Sequence, residues 1–349
     1  MSLRGQETIV RRNCGYTERR GISALSIRSF FRLAAHAQML PVLENGEEVL
    51  VGGQAVMEGV MMRAPHSYCV SVRKPSGEIV FQEAPLQKLS EKYRIFKAPV
   101  IRGVGSLGQA MALGIRALRF SANAALDEGD PEKKPQEISS WMMTLNLVFS
   151  LGFFIFLYKF VPLWLTTHLG AVFPVLEGRI AFNLADGAIR IAIFLAFLYA
   201  ISFWKDIRRV FEYHGAEHKV VFNFESGQPL SVENAQRFVT FHPRCGTSFL
   251  LVVMMISIVV YAVAPGESFA ARMASRVLLL PLIAGVSFEM IRYAARRRGG
   301  LLAMMTAPGL WLQRITTREP SNDQAEVAIH ALNRAMELER AQGGEPVIA

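Results

Sequence analysis

Cysteine is scarce. The three residues Cys14, Cys69 and Cys245 in 349 show no paired spacing, which argues against a secreted disulfide framework. Charge is scarce too: 19% of residues are Asp, Glu, Lys or Arg against 51% hydrophobic, and the mean hydropathy is +0.26. Such a chain is too apolar for an ordinary soluble protein and too polar to lie wholly in a membrane. Gly and Pro occur at ordinary levels, 27 and 16 residues, so collagen-like and disordered classes are excluded. There is no internal repeat, and no low-complexity tract beyond the N-terminal arm. Residues 1–40 contain seven Arg and two Glu but no Lys and no long apolar run, which excludes a Sec-type signal peptide. They read as a basic, disordered arm against anionic lipid headgroups, as an organelle transit peptide, or as an extension from a misplaced start codon.

Four apolar stretches stand out, at about 141–163, 187–204, 249–264 and 276–294. Each is long enough, or nearly so, to cross a bilayer. The stretch 205–248 carries Lys205, Arg208, Arg209, Lys219, Arg237 and Arg244, and Arg296-Arg297-Arg298 follows the fourth stretch. By the positive-inside rule both termini and this middle loop are cytoplasmic, as an even number of spans requires. The net charge of +9 is thereby used in orientation, and no nucleic acid partner is expected. The expected fold is mainly α: a polytopic membrane protein with four transmembrane helices and a small N-terminal β-containing cytoplasmic domain. The segments are 1–40 (arm), 41–136 (cytoplasmic β domain with a surface helix and charged linker), 137–312 (four-span domain with its His/Cys loop, 205–248) and 313–349 (cytoplasmic C-terminal helix). Oligomeric state is left open.

Within 41–136, residues 68–74 and 78–82 flank Pro75-Ser76-Gly77 and predict a hairpin. The glycine-punctuated segment 51–63, carrying Glu58 and Arg63, predicts a bulged strand or a flap over a site. Residues 98–120 predict a helix lying flat on the leaflet or packed on the spans. Leu301 to Leu312, interrupted by Pro308-Gly309, reads as re-entrant or surface rather than as a fifth span. Asp323 to Gln342 reads as an amphipathic helix stopped by Gly343-Gly344.

The chemistry lies in the middle loop. Phe211-Glu212-Tyr213-His214-Gly215-Ala216-Glu217-His218-Lys219 follows the second span. On a helix continuing from that span, His214 and His218 are one turn apart with Glu217 beside them, so two imidazoles can chelate one cation with a carboxylate at hand. This is the H-x-x-E-H order of inverzincins. At the loop's other end stand His242 and Cys245, in Phe241-His242-Pro243-Arg244-Cys245-Gly246, spaced as metal ligands and with Cys245 near a helix N-terminus. Both ends are tied to one leaflet, so they can meet. The competing readings are Cys245 as nucleophile with His242 or His218 as base, imidazoles bonded to lipid phosphate, and His242-Pro243 as a helix cap. Glu289 in the fourth span needs a partner or a polar cavity. Lying about 14 residues, roughly 21 Å, from the outer end, it reaches the depth of the histidines as a ligand or supporting acid, with Arg292 as the alternative ion-pair partner. Glu58 is a further candidate.

The segments GGQAVMEGVMMR (52–63), YHGAEHK (213–219), HPRCGTSF (242–249) and APGLWLQRITTREP (307–320) resemble the YqhQ-like family of bacterial membrane proteins, over about residues 48–335. That family is described as a predicted metal-dependent enzyme. The resemblance implies an integral membrane protein with a metal site on His214, Glu217, His218, His242 and Cys245, and names no substrate. The resulting expectation is a multi-pass metalloprotein of the bacterial inner membrane binding a divalent ion, Zn²⁺ by its donors. Two of its ligands would be His214 and His218, the third His242 or Cys245, and Glu217 would be the general base for hydrolysis at the cytoplasmic surface. A membrane-embedded peptide, a lipid head group or a lipid-linked precursor would be the substrate, with Arg63, Arg244 and Arg314 suited to an anionic group. The alternative is a non-catalytic scaffold clamped by a structural metal. A transporter is disfavoured, since the spans hold few polar residues apart from Glu289 and Asn146.

Overall fold

The computed structural model describes residues 51–87, 89–127, 139–242, 245–264, 268–296 and 300–343. The arm 1–40, most of the charged linker, Pro243, Arg244, Arg297 and Arg298 lie outside the described residues.

The N-terminal part is a four-stranded antiparallel meander of β1 (Gly52–Val56), β2 (Gly59–Arg63), β3 (Ser67–Arg73) and β4 (Ile79–Pro85), in sequential order. The expected hairpin is β3–β4, paired from Arg73↔Ile79 outward with Gly77 at φ 90° in its turn. The glycine-rich segment is itself a hairpin, β1–β2, closed by the two residues Met57 and Glu58, the latter at φ 50°. Alternation along the strands separates two apolar faces. Val60, Met62 and Cys69 point to one face, and Met61, Val70 and Val72 to the other.

Eleven helices are numbered here. Helix α1 (Ile101–Leu126) covers the second face through Leu113, Ala117 and Ala124. It is therefore a layer of the sheet module rather than a helix flat on a leaflet, because the sheet leaves an apolar face that must be buried. The first face is covered by α5 (Lys205–Glu225) and α11 (Asn322–Ala341). Helix α11 matches the expected amphipathic segment, with a Ser321/Gln324 capping box and Gly343 at φ 80°. Its buried stripe includes Ala328, Ala331 and Ala335, small residues that let the helix lie close on the sheet. The C-terminal helix and the N-terminal strands thus share one core.

Most of the remaining helices are apolar. Helices α2 (Ser140–Ile155) and α3 (Val161–Val172) are joined by a π-helical turn at Phe156–Phe160. Helix α4 is Arg179–Ile201, α6 is the short Val232–Gln236, and α7 is Gly246–Val263. Helices α8 (Phe269–Leu278) and α9 (Leu280–Arg296) follow, then α10 (Gly300–Thr316). Among the described residues three helices, Thr144–Val172, Arg179–Ile201 and Gly246–Val263, are long and apolar enough to cross a membrane, and α8 with α9 makes a fourth if a pair bent by 47° is one span. Leu145, Val148, Phe149, Leu151 and Val259 are exposed on the outside of this group, where an aqueous surface would penalise them.

Four expectations are corrected. The helix bearing the histidines does not continue from the second apolar helix: α4 ends at Ile201 and α5 begins after Trp204, whose backbone is extended. The interval Leu301 to Leu312 is not broken at Pro308-Gly309. Helix α10 runs through it, and Gly309 lets its backbone approach α7 so closely that a Cβ there would lie 2.6 Å from Ser248 Cα. The second apolar helix starts at Arg179, not 187. Polar residues within the apolar helices are not confined to Glu289 and Asn146, since Lys159, Asp186, Arg190 and Arg276 are all buried there.

Candidate functional site

Helix α5 presents His214, Glu217 and His218 at i, i+3 and i+4, on the side facing Thr240, Cys245 and the end of α10. Close approach is possible because residue 215 is glycine: a Cβ there would sit 1.9 Å from the Arg318 carbonyl oxygen. The Arg318 N–H in turn donates to the Phe211 carbonyl at 2.9 Å. The ring of His214 bonds the Thr316 carbonyl through Nδ1 at 2.7 Å, and that of His218 bonds the Thr240 carbonyl through Nδ1 at 2.5 Å. A carbonyl oxygen only accepts, so both Nδ1 atoms carry the proton and both Nε2 atoms present lone pairs.

Those lone pairs face one sulfur. His214 Nε2 lies 3.2 Å from Cys245 Sγ, and the ring centroids of His214 and His218 are 4.4 Å apart. The ligand atoms of His214, His218 and Cys245 all fall within 4.8 Å of one another. His218 is 1% exposed, and its Nε2 has no hydrogen-bond partner of ordinary geometry; Glu217 Oε2 lies 3.4 Å away. Burial pushes the His218 pKa down, and the Cys245 sulfur opposes that shift in part. Cys245 is the N-cap of α7 and its sulfur accepts from the Thr247 N–H at 3.4 Å.

His242 belongs to the same neighbourhood with a different partner. Its Nε2 is 3.5 Å from Glu225 Oε2, its ring lies 5.6 Å from that of His218, and it packs on Phe222. Burial lowers its pKa, against the attraction of Glu217. Its backbone is gripped by Gln313, which accepts from the His242 N–H at 2.7 Å and donates to its carbonyl at 2.8 Å. Gln313 is fully buried and also donates to Ser248 Oγ, so one side chain sets the approach of 242–245 to α7. Sequence inspection missed Gln313, Thr316 and Glu225. A polar residue in an otherwise apolar helix, three positions before a second carbonyl partner, was the available signal.

Glu289 and Glu58 lie elsewhere. The Glu289 carboxylate accepts from Arg102 Nε at 2.6 Å, from its Nη2, and from the Val100 N–H at 3.3 Å. It ties α9 to α1, where Gly103 and Gly285 allow close packing, and its closest partner is Arg102 rather than Arg292. Glu58 takes both Arg209 donors at 2.5 Å and lies 3.4 Å from the Tyr213 hydroxyl. The β1–β2 hairpin does reach the histidine helix at another point: a Cβ on Gly53 would be 2.8 Å from Glu217 Cγ. Arg314 is exposed and Arg63 half-buried.

The donor set is two imidazole nitrogens with their tautomers fixed by backbone carbonyls and one sulfur at a helix N-terminus. Such a set suits a borderline-soft divalent ion such as Zn²⁺. The family described as "Protein of unknown function (DUF1385)" matches residues 98–338, which include all of these groups. The uncharacterized protein YqhQ of Bacillus subtilis (strain 168) is 35% identical over 297 residues, covering 82% of this chain and 92% of that protein. No solved structure matches the chain.

Proposed function

The chain belongs to the DUF1385 family with YqhQ, and we propose that it is an integral membrane metalloprotein that catalyses hydrolysis at the cytoplasmic face of the inner membrane. In this reading the four apolar units cross the bilayer. The sheet module, α5 and both termini face the cytoplasm, on the side of Lys205, Arg208, Arg209 and Arg237. The observation that carries the metal site is the pair of Nδ1-anchored imidazoles whose Nε2 atoms face Cys245 Sγ. Cys245 thereby takes the place of third ligand, and His242, turned toward Glu225, is a neighbour.

When bound, a divalent ion supplies Lewis acidity and lowers the pKa of water toward about 7. Glu217 would accept and return the proton: its carboxylate borders the ligand set, 3.4 Å from His218 Nε2, and is 6% exposed, so little water competes for it. Thr316 and Thr240 hold the imidazoles against rotation, and Gln313 holds the chain that delivers Cys245. The substrate class fitting this position is a lipid head group, a lipid-linked precursor or a membrane-embedded peptide. A non-catalytic clamp is the second reading, favoured by the burial of His218 and by ligands drawn from two segments that pack on α10.

Metal analysis of the full chain purified in detergent tests both. About one equivalent is expected in wild type and Glu217→Gln, and little in His218→Ala or Cys245→Ser. In cells lacking the chromosomal copy, Glu217→Gln should fail to complement. If it complements while His218→Ala fails, the site is a clamp, and if wild type holds no metal, neither reading stands.

A further inference from the structure

A second polar cluster lies inside the apolar helices, independent of the histidine site. Lys159 enters from the π-helical turn between α2 and α3, Asp186 and Arg190 from α4, Tyr261 from α7, and Arg276 from the last turn of α8, just before the 47° bend. All are at most 6% exposed. The Lys159 ammonium donates to the Tyr261 hydroxyl at 3.1 Å, which itself donates to the Arg276 carbonyl at 3.0 Å. The cationic groups of Lys159, Arg190 and Arg276 lie 5.4, 5.2 and 5.2 Å from the Tyr261 ring centroid. Asp186 Oδ2 binds Arg190 and lies 3.3 Å from Arg276 Nη2.

Three cations thus share one carboxylate among the described residues. Burying a charge without a counter-charge is costly, and more so among helices flanked by lipid. The hydrogen-bonding groups are also incomplete: the Nε donors of Arg190 and Arg276 and the Oδ1 acceptor of Asp186 are buried with no partner. Two backbone irregularities, a π turn and a broken helix, converge here. Such departures among membrane helices are tolerated where the backbone is enclosed by protein or lines a binding site, and they recur at functional positions.

We propose that this cluster binds a phosphate group bearing a P–OH, either free orthophosphate or the head group of a phosphomonoester lipid. Such a group carries the missing negative charge, accepts from both arginine Nε–H groups and from the ammonium, and donates its own proton to Asp186 Oδ1. A bare carboxylate or chloride cannot make that last bond.

The test uses the full chain in a phosphate-free sugar detergent, stripped of phospholipid, at constant ionic strength set with chloride. Orthophosphate and phosphatidic acid are added separately, with phosphatidylglycerol, a diester, as control. A raised unfolding temperature with orthophosphate identifies a free ion, whereas a rise confined to phosphatidic acid identifies a lipid head group. Lys159→Met should weaken the apparent affinity about tenfold or more, by loss of one charge-assisted bond, while leaving the phosphate-free chain no less stable. Asp186→Asn increases the positive excess and should enlarge the stabilisation by phosphate. If neither phosphate probe stabilises the wild type, or if Lys159→Met loses stability without any change in phosphate response, the cluster is an internal structural network and the proposal fails.

Discussion

Helix α7 has a polar site toward each end. Its N-cap, Cys245, completes a group of lone pairs turned toward one point, while Tyr261, 16 residues and about 24 Å further along, sits among cations in excess. The first group offers electron pairs, and the second carries an excess of positive charge over its one carboxylate. The supports differ as well. The histidine site is held by backbone carbonyls and by Gln313, so its shape is set by main-chain packing. The cation cluster is held by side chains on separate apolar helices, so removing its one carboxylate leaves the cations uncompensated.

This contrast is open to measurement. The largest effect is expected at the N-cap end, where His218→Ala or Cys245→Ser should remove essentially all bound metal and, with it, thermal stabilisation on adding Zn²⁺ to chelator-treated protein. Equal metal content in these variants would end the distinction between the two sites. At the other end, Asp186→Asn in phosphate-free detergent should cost about 3–5 kcal/mol, the penalty for breaking a buried pair, with metal content unchanged. Gly215→Ala should come next, at about 1–3 kcal/mol, because its Cβ must displace the Arg318 carbonyl. Unlike Asp186→Asn, it should also weaken metal retention.

The smallest effect concerns the cysteines. Burial pushes the Cys69 thiol up to about 12. In a Cys14→Ala background at pH 8, alkylation should therefore mark Cys245, blocked by metal, and spare Cys69. Since the unfolded chain ionises this thiol near 9, its contribution is complete below that pH and is lost as pH rises toward 12. Unfolding measured from pH 8 to 11 should show this decline in wild type and a shallower one in Cys69→Ala.

The two sites also differ in how far they can be read from sequence. His214, Glu217 and His218 lie within one helical turn, and Cys245 stands directly before an apolar run, so local spacing brings them together on paper. The assignment of His242 over Cys245 was undecidable there, because it depends on Gln313 and Glu225 gripping residue 242 from other helices. The cation cluster spans residues 159–276 and draws one or two residues from each of several apolar helices. A hydropathy window starting the second span at 187 discards Asp186 as flanking polar sequence, although it belongs to the buried centre. Similarly, the alanine stripe of α11 hid that helix's place on the sheet, since small residues carry little amphipathic signal. The meander was legible in its β3–β4 half, where alternation and Pro-Ser-Gly coincide; the β1–β2 half, rich in glycine, was not.

The short break between Ile201 and Lys205, flanked by the exposed rings of Phe203 and Trp204, has a mechanical meaning. It uncouples two helix directions: α4 is placed by its packing on the neighbouring apolar helices, while α5 takes its bearing from the sheet beneath it. The placement of residues 214–218 is thereby set by the sheet module, and a continuous helical splice across the break would couple it instead to the axis of α4.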